Sequence, residues 1–486
     1  MRLDINPSLR YTIPMNIFVK EKAFYARFFR LTGAVALQNL ILLGVSLCDN
    51  LMLGGYSELA MSGAAVAIQF QFLLTQTLTG IGSGAVVIAA QHWGRRQREP
   101  VARTFAVAFA LALAVGCAFG AAGFFFPERV LGLLTNEAGV IEQGAIYLRT
   151  LAPTYPLFAL TAVGTALFRC IESPRVGVYI SLAALGIDAV LNYLLIYGKL
   201  GLPRLGIYGA ALATVISYVV QFALLVFFLF RIDKKLRMRP REAFKIERKY
   251  IGIYARVALP LVGSAVSWGL AMNMQSAILG RMGQASIAAN AIAAALFQVC
   301  AVVIYGAASA SNVIIGKTVG EGDIPKVKAY TRTMQALFLS LGLCTGAALF
   351  TARGLIIDFY NIAPETRGLA LQFMLVLSVT VVGTSYQMTG LAGIVTGGGD
   401  TRFVLINDLI FQWCVVLPFS ALSAFVWQFP PLVTFMILKS DQILKCAVAA
   451  VKVNRFRWIK NLTGSGLVNV EIEQQPQHDD EHVHQG

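Results

Sequence analysis

Twelve long runs of apolar residues alternate with short polar segments along this chain. Each run is long enough to cross a hydrocarbon core about 30 Å thick as an α-helix. The runs predict helices near 31–53, 62–90, 102–126, 141–168, 175–198, 206–230, 252–279, 288–315, 329–350, 367–395, 403–425 and 430–451. The pattern therefore predicts an all-α integral membrane protein with twelve transmembrane helices.

Two carboxylates interrupt these apolar runs. Asp49 lies in the first run, toward the end that we expect to be remote from the cytosol, and Asp188 lies in the fifth. An ionisable group at membrane depth is expensive and is by default a hypothesis of function, which suggests a transporter driven by a cation. The structural alternative for Asp49 is a polar residue satisfied by Asn50 or Ser46. For Asp188 it is hydrogen bonding between helices.

Composition agrees with a membrane protein and argues against other classes. Hydrophobic residues make up 57 %, charged residues only 13 %, and mean hydropathy is +0.67. The seven cysteines show no close pairing, so neither a disulfide nor a CxxC metal site is indicated. No Walker-type phosphate loop and no arrangement of nucleophile and base is present. We expect a protein that is not an enzyme, holds no cofactor and draws its energy from an ion gradient.

The distribution of basic residues predicts an orientation, because cytosolic loops collect Lys and Arg. The loop after helix 2 reads GRRQRE (94–99), and residues 231–249 hold nine Lys/Arg against three Asp/Glu. We therefore expect a multi-pass protein of the cell membrane with both termini cytosolic. The net charge of +15 follows from this topology and from attraction to anionic lipids. We expect membrane lipids as partners and no nucleic acid.

A fixed offset relates the two halves of the chain. Residue pairs recur 226 positions apart: Leu53-Gly54 with Leu279-Gly280, Gly80 with Gly306, Ser83 with Ser309, and Gly94 with Gly320. Two copies of six helices run in the same direction, which predicts a pseudo-twofold axis along the membrane normal. The expected domains are an interfacial arm (1–30), an N-lobe (31–230), a basic cytosolic linker (231–249), a C-lobe (250–452) and a cytosolic tail (453–486), disordered after residue 463.

Several segments resemble the multidrug and toxic compound extrusion (MATE) transporters of the multidrug/oligosaccharidyl-lipid/polysaccharide flippase superfamily. The resemblance runs through residues 30–462. The matching segments are LQNLI (37–41), DNLMLG (49–54), LNYLLIYG (191–198), GAALAT (209–214), GGGDTR (397–402) and RWIKNLT (457–463). Their order, and their placement in two six-helix halves, carry the resemblance.

The resemblance implies a cation-coupling site in the N-lobe. Asp49 matches the family's coupling carboxylate, Asp188 and Asn192 match paired polar positions of helix 5, and Thr214 matches a hydroxyl of helix 6. Asn192 can instead link helices, and Thr214 can bond a carbonyl of its own helix. Carboxylate and hydroxyl oxygens suit a shared proton or Na⁺ equally, so the coupling ion stays open. No other metal is expected.

The chain also departs from the family. Many members carry a proline in helix 1 where this chain has Ala34, so a proline bend of that helix is in doubt. Acids found in the C-lobe of another branch are replaced by Trp268 and Gly390, and Gln275 is the C-lobe counterpart of Asp49. Coupling is therefore predicted in the N-lobe alone. Asp408, close to the cytosolic end of helix 11, is expected to be solvated.

Cargo is expected between the lobes. Aromatic, Met and Gln side chains there could stack on or bind flat cationic compounds. The candidates are Phe70, Tyr155, Phe158, Met274, Gln275 and Tyr386.

The predicted function is a monomeric, secondary-active exporter of amphipathic organic compounds, often cationic, exchanged for H⁺ or Na⁺ by alternating access. The alternative is a flippase for a lipid-linked saccharide, which would need a cavity rich in Arg and Lys to hold pyrophosphate. The predicted mid-span segments contain almost no basic residues, which disfavours it. The histidines of the tail lack the spacing of a zinc site.

Overall fold

Eleven long apolar helices and a twelfth, broken one dominate this computed structural model, which describes residues 18–238, 246–358, 362–463 and 468–469. The first eleven are α1 (Lys22–Tyr56), α2 (Glu58–Gly94), α3 (Arg98–Phe125), α4 (Ala138–Cys170), α5 (Arg175–Tyr197), α6 (Ile207–Ile232), α7 (Arg248–Gly280), α8 (Gln284–Glu321), α9 (Ile324–Ile357), α10 (Pro364–Val395) and α11 (Thr401–Val426). Each is long and apolar enough to cross a membrane. The predicted all-α membrane fold is confirmed.

The twelfth element is broken, whereas the sequence predicted one continuous helix over 430–451. It consists of α12a (Pro431–Leu438) and α12b (Asp441–Asn454). Lys439 and Ser440 form the turn between them. The polar stretch 439–442 marks the break in the sequence, and the prediction failed because it carried the helix through this stretch.

Most helices extend further than the apolar runs that predicted them. Helix α1 begins at Lys22 instead of residue 31, and α8 ends at Glu321 instead of residue 315. Polar residues continue a helix beyond the hydrocarbon layer, since hydrophobicity limits the buried part only. Residues 22–30 of the predicted interfacial arm thus belong to α1, where Phe24 and Phe28 are buried.

Helices α1–α6 form the N-lobe and α7–α12 the C-lobe, and reciprocal contacts relate the two. A Cβ added at Gly94 would overlap the carbonyl oxygen of Lys317, and one at Gly320 would overlap that of Gln91. Gly320 lies 226 positions after Gly94, and Lys317 lies 226 positions after Gln91. The same backbone approach therefore occurs twice, as a pseudo-twofold axis requires.

A second reciprocal pair lies deeper in the bundle. A Cβ at Gly80 of α2 would lie 2.5 Å from Cα of Val262 in α7. One at Gly306 of α8 would lie 2.5 Å from the oxygen of Thr32 and 3.2 Å from the nitrogen of Ala36, both in α1. Helix α2 thus packs on α7 as α8 packs on α1. Only glycine permits this closeness between the lobes.

The lobes are joined by an ion pair at the end of the bundle that carries the loops 95–97, 171–174, 322–323 and 396–400 and the segment 233–238. We call this the basic end and the opposite one the far end. Glu172 of the N-lobe lies 2.6 Å from Nζ of Lys317 in the C-lobe and 3.6 Å from Nε of Arg27. Lys235 donates to the carbonyl oxygen of Glu172 at 2.7 Å. The structure is therefore closed between the lobes at the basic end.

The segment after α12b reinforces this closure. Trp458 is fully buried and packs directly on Gly398. Gln91 of α2 donates to the carbonyl of Lys460 at 3.0 Å and accepts from the backbone N–H of Leu462 at 2.8 Å. The C-terminal segment is thus tied to the N-lobe.

The same segment forms a small antiparallel pair, in which β1 (Lys460–Asn461) joins β2 (Val468–Asn469). The tail predicted to be disordered covers residues 464–486, and two of these, 468–469, form β2. Its other residues, 464–467 and 470–486, lie outside the described residues, as do residues 239–245 of the predicted linker.

Candidate cation site and a charged cluster in the second lobe

The predicted N-lobe residues Asp49, Asp188 and Asn192 come together in the structure. Asp49 lies on α1 and the other two on α5, one helical turn apart. The side-chain amide of Asn192 donates to Oδ1 of Asp49 at 2.5 Å and to Oδ2 of Asp188 at 2.9 Å. All three are buried, with exposed fractions of 8 %, 1 % and 0 %. One amide therefore bridges two carboxyl groups.

This cluster contains acceptor oxygens without donors. Oδ1 of Asp188 and the side-chain oxygen of Asn192 are buried and have no hydrogen-bond partner in the described part of the chain. No Lys, Arg or His of the described residues forms an ion pair with either aspartate. Buried acceptors and uncompensated carboxylates are costly. A proton or a hard cation would relieve both deficits.

Thr214 is buried on α6, but its hydroxyl donates to the carbonyl of Ala210 at 3.2 Å. This bond to the preceding turn of the same helix is the structural alternative that the sequence analysis gave for Thr214. Thr214 is nevertheless a side-chain neighbour of Asp188. Neither Asn50 nor Ser46 is the partner of Asp49, since that role belongs to Asn192.

The C-lobe holds a charged cluster that the sequence analysis missed. Nζ of Lys445 on α12b lies 3.0 Å from Oδ1 of Asp408 on α11 and 3.6 Å from Oδ2 of Asp441. The side chain of Lys445 is 3 % exposed and that of Asp441 4 %. Ser264 of α7 also donates to Asp408. Asp408 is thus paired with a buried lysine, and with 19 % of its side chain exposed it is only partly solvated.

A signal for this cluster was present in the sequence. Asp441 and Lys445 are four residues apart and therefore share one helix face. Together with Lys439 they place three charges inside the predicted twelfth helix. The argument that the spans offer almost no basic residues overlooked these two lysines. Their partner Asp408 was not predictable, because it comes from another helix.

Two C-lobe positions that replace the family's acids have different surroundings. The ring of Trp268 lies 6.4 Å from the ring of Phe72 on α2. Gly390 lies in the π-helical stretch Thr389–Val395 that ends α10. Gln275, the repeat counterpart of Asp49, accepts from Nζ of Lys439 at 3.3 Å.

The predicted cargo residues have separate partners. Phe70 packs on Phe119, Phe158 stacks on Tyr218, and Tyr386 donates to Gln335 at 2.6 Å. Tyr155 is fully buried, whereas Met274 is 45 % exposed. No contact between the six candidates appears among the hydrogen bonds and ring contacts of the described residues. Their role in cargo binding stays a prediction.

Two six-helix lobes around a pseudo-twofold axis, with uncompensated carboxylates inside one lobe, define a membrane transporter with two repeats. The MatE family model matches the chain twice, over residues 34–194 and 260–422. The chain belongs to this family of transporters. The two matches begin 226 positions apart, the offset that the sequence repeat predicted.

Relatives and solved structures agree with this assignment. The probable multidrug resistance protein NorM of Streptococcus pneumoniae is 25 % identical over 377 residues, which cover 78 % of this chain and 83 % of the relative. The multidrug resistance protein MdtK of Pectobacterium atrosepticum is 25 % identical over 384 residues, covering 77 % and 82 %. A solved MATE structure in complex with MaL6 superposes with a TM-score of 0.80 at 18 % identity, covering 88 % of this chain and 96 % of that one.

Proposed function

We propose that this protein is a secondary-active exporter of amphipathic organic compounds, often cationic, which it exchanges for H⁺ or Na⁺. The bridged pair of Asp49 and Asp188 carries the proposal. Relatives named multidrug resistance proteins support the cargo class. We further propose that the protein acts as a monomer in the cell membrane with its basic end in the cytosol, as the positive-inside rule favours.

The coupling mechanism follows from charge compensation. A single charged side chain at membrane depth costs about 3 kcal/mol on insertion scales. Asp49 and Asp188 share one neutral amide, so binding one cation or proton removes a large part of this penalty. The cluster joins α1 to α5, and a change in its charge therefore changes how these helices pack. Such a change can bias the N-lobe between conformations.

The direction of transport follows from the two ends of the bundle. The basic end is closed by contacts that include the pair of Glu172 with Lys317. Ion entry and cargo release in this state would thus use the far end. Return to the cytosol-open state then requires these contacts to separate. Thr214 is proposed as a contributing hydroxyl, reached by rotation away from Ala210.

The lipid-linked-saccharide flippase is less well supported. Lys445 would be a candidate for binding pyrophosphate, but Asp408 and Asp441 already neutralise it. One further lysine is less than the basic cavity that such cargo needs. A cargo panel that includes a lipid-linked saccharide distinguishes the two functions.

The test is gradient-driven efflux in proteoliposomes with an imposed proton or Na⁺ gradient. Asp49→Asn should abolish gradient-driven transport and leave expression and folding intact, because the isostere removes charge without opening a cavity. Glu142→Gln is the matched control, since Glu142 is an exposed carboxylate on α4. Normal coupled efflux by Asp49→Asn would refute the assignment.

A double-mutant cycle tests whether the cluster acts as a unit. Asp188→Asn should impair ion-dependent cargo affinity, and the double variant should lose less than the two single effects together. Residues that share an ion or a proton show interaction energies of about 0.5–3 kcal/mol. Additive losses would return Asp188 to a structural role.

A further inference from the structure

A groove of about 360 Å³ runs between α9, α10 and α12b on the C-lobe. Apolar or small residues line most of it, among them Leu339, Val382, Gly383, Cys446, Ala447 and Ala450. Gly383 permits the close approach of α10 and α12b along this groove, since a Cβ there would overlap the carbonyl oxygen of Gln442. The packing of the three helices therefore fixes the shape of the groove.

The groove opens toward the acyl chains of the bilayer. Leu339 at its edge is exposed, and so are Leu343, Val379 and Val451 on the same three helices. Large apolar side chains that are exposed on membrane-spanning helices face lipid, because water does not reach this depth. We therefore expect the groove to take an acyl chain. Any lipid could supply that chain, so selectivity must come from the end of the groove.

Polar side chains close the groove on the side of the basic end. The hydroxyl of Tyr386 donates to Oε1 of Gln335 at 2.6 Å, and the amides of Gln335 and Asn454 are joined at 3.2 Å. Gln335 lies one turn before Leu339 on α9, which begins at the basic end, and Asn454 is the last residue of α12b. The apolar groove therefore ends in a polar network toward the lipid headgroups.

Two arginines flank this network. Arg332 lies three residues before Gln335 and shares its face of α9, and Arg455 directly follows Asn454. Both arginines are exposed, and neither forms an ion pair in the described part of the chain. A guanidinium group binds phosphate through two parallel hydrogen bonds. We call these four residues, Arg332, Gln335, Asn454 and Arg455, the polar rim.

The repeat shows that the scaffold does not require the polar rim. The residues 226 positions before its four members are, in order, Ala106, Phe109, Phe228 and Leu229. The N-lobe therefore has neither a cation nor an amide at the corresponding place. This difference between the lobes points to a ligand of the C-lobe alone, with an anionic head and an apolar chain.

We propose that the C-lobe binds one anionic phospholipid from the leaflet at the basic end, with its phosphate at Arg332 and Arg455 and one acyl chain in the groove. The amides of the polar rim can donate to the ester oxygens between these two parts. The bound lipid contacts α9, α10 and α12b together. The site lies on the outer face of the bundle, and it does not depend on the proposed export function.

Contact quenching by brominated lipids tests the site in a bilayer. A single cysteine is introduced as Leu339→Cys after replacement of the seven native cysteines, and it is labelled with bimane. Liposomes of phosphatidylcholine then receive increasing fractions of brominated phosphatidylglycerol or of brominated phosphatidylcholine. Comparison of the two quenching curves gives the affinity for the anionic lipid relative to the neutral one. We expect a preference of about fivefold or more for phosphatidylglycerol at Leu339.

Two pairs of substitutions test the arginines. Arg332→Gln with Arg455→Gln should reduce the preference at Leu339 to within about twofold, whereas Arg332→Lys with Arg455→Lys keeps the charge and should retain most of it. Arg98→Gln with Lys234→Gln removes two exposed cations from the N-lobe and should leave the preference at Leu339 unchanged.

The repeat supplies a control for the label. Bimane at Leu113→Cys, the counterpart of Leu339 on α3, should show a preference within about twofold. No preference at Leu339, a preference that survives removal of both arginines, or an equal preference at Leu113 would overturn the inference. Quenching by neither lipid at Leu339 would show that another occupant, such as a second copy of the chain, covers the groove, and would overturn it as well.

Discussion

Replacement of Gly320 by alanine should open the basic end of the bundle. The added Cβ would overlap the carbonyl oxygen of Gln91 in the other lobe, whereas ordinary contacts begin at 3.4 Å. A backbone carbonyl within a helix cannot rotate away. The strain is therefore relieved only if α2 and α8 move apart at this end.

The size of the effect follows from overpacking. Inserting a methyl group into a well-packed contact costs about 1–3 kcal/mol. Alanine also gains about 1 kcal/mol over glycine in helix propensity, but α8 stays helical in both conformations and this gain cancels. The equilibrium between the closed and open basic end should therefore shift by about 5- to 150-fold toward the open state.

Pulsed electron paramagnetic resonance would measure this shift. Spin labels at Arg175 in the N-lobe and Glu321 in the C-lobe, after replacement of the seven native cysteines, report the distance across the basic end. Gly320→Ala should add a population at longer distance. Gly33→Ala is the control, because nothing lies within 4 Å of a Cβ at that position. Identical distance distributions for the two variants would refute the steric account of the lobe contact.

Two further predictions concern charges at the basic end. Lys317→Gln should favour the open basic end by about fivefold, because the bond to Glu172 at 2.6 Å is part-buried and contributes about 1 kcal/mol. Lys317→Arg keeps the charge and should not have this effect, and the same spin-label distance measures both variants. Burial would raise the pKa of Asp400, but Lys452 at 2.7 Å and Lys460 at 2.8 Å outweigh it and hold that pKa below its ordinary value. The ionised form therefore contributes stability above about pH 4 that is lost as the pH falls through the folded-state pKa. Asp400→Asn should lower the melting temperature at neutral pH and the difference from wild type should shrink in acid; a difference independent of pH would contradict the pairing.

The sequence predicted the helices and the repeat because both depend on strong, local patterns. An apolar run of twenty residues has few alternatives to a membrane-spanning helix. The offset shared by Gly94 and Gly320 was readable because the same backbone approach demands glycine twice. The meeting of Asp49 with Asn192 was expected from the family resemblance, and the structure places them in contact.

The C-lobe cluster escaped prediction for a physical reason. Lys445 can be recognised as part of a charged cluster only through its partner Asp408, which is 37 residues away and on another helix. Hydropathy describes each helix by itself and says nothing about which faces meet. The break at Lys439, by contrast, was readable, since the polar stretch 439–442 interrupts the apolar run. The cargo candidates such as Phe70 were likewise chosen without knowledge of their facing partners.

The repeat constrains the glycines at the contact between the lobes, but it does not constrain the polar side chains inside each lobe. Glycines at the lobe contact follow the twofold relation, because each faces the equivalent backbone of the other lobe and a change in either copy produces the same clash. Asp49 and Gln275 have no such constraint, since each bonds only within its own lobe, to Asn192 and Lys439 respectively. An acidic and a neutral side chain can therefore stand at related positions without disturbing the lobe contact. A transporter built this way can change the side chains inside one lobe while the contact between the lobes stays the same.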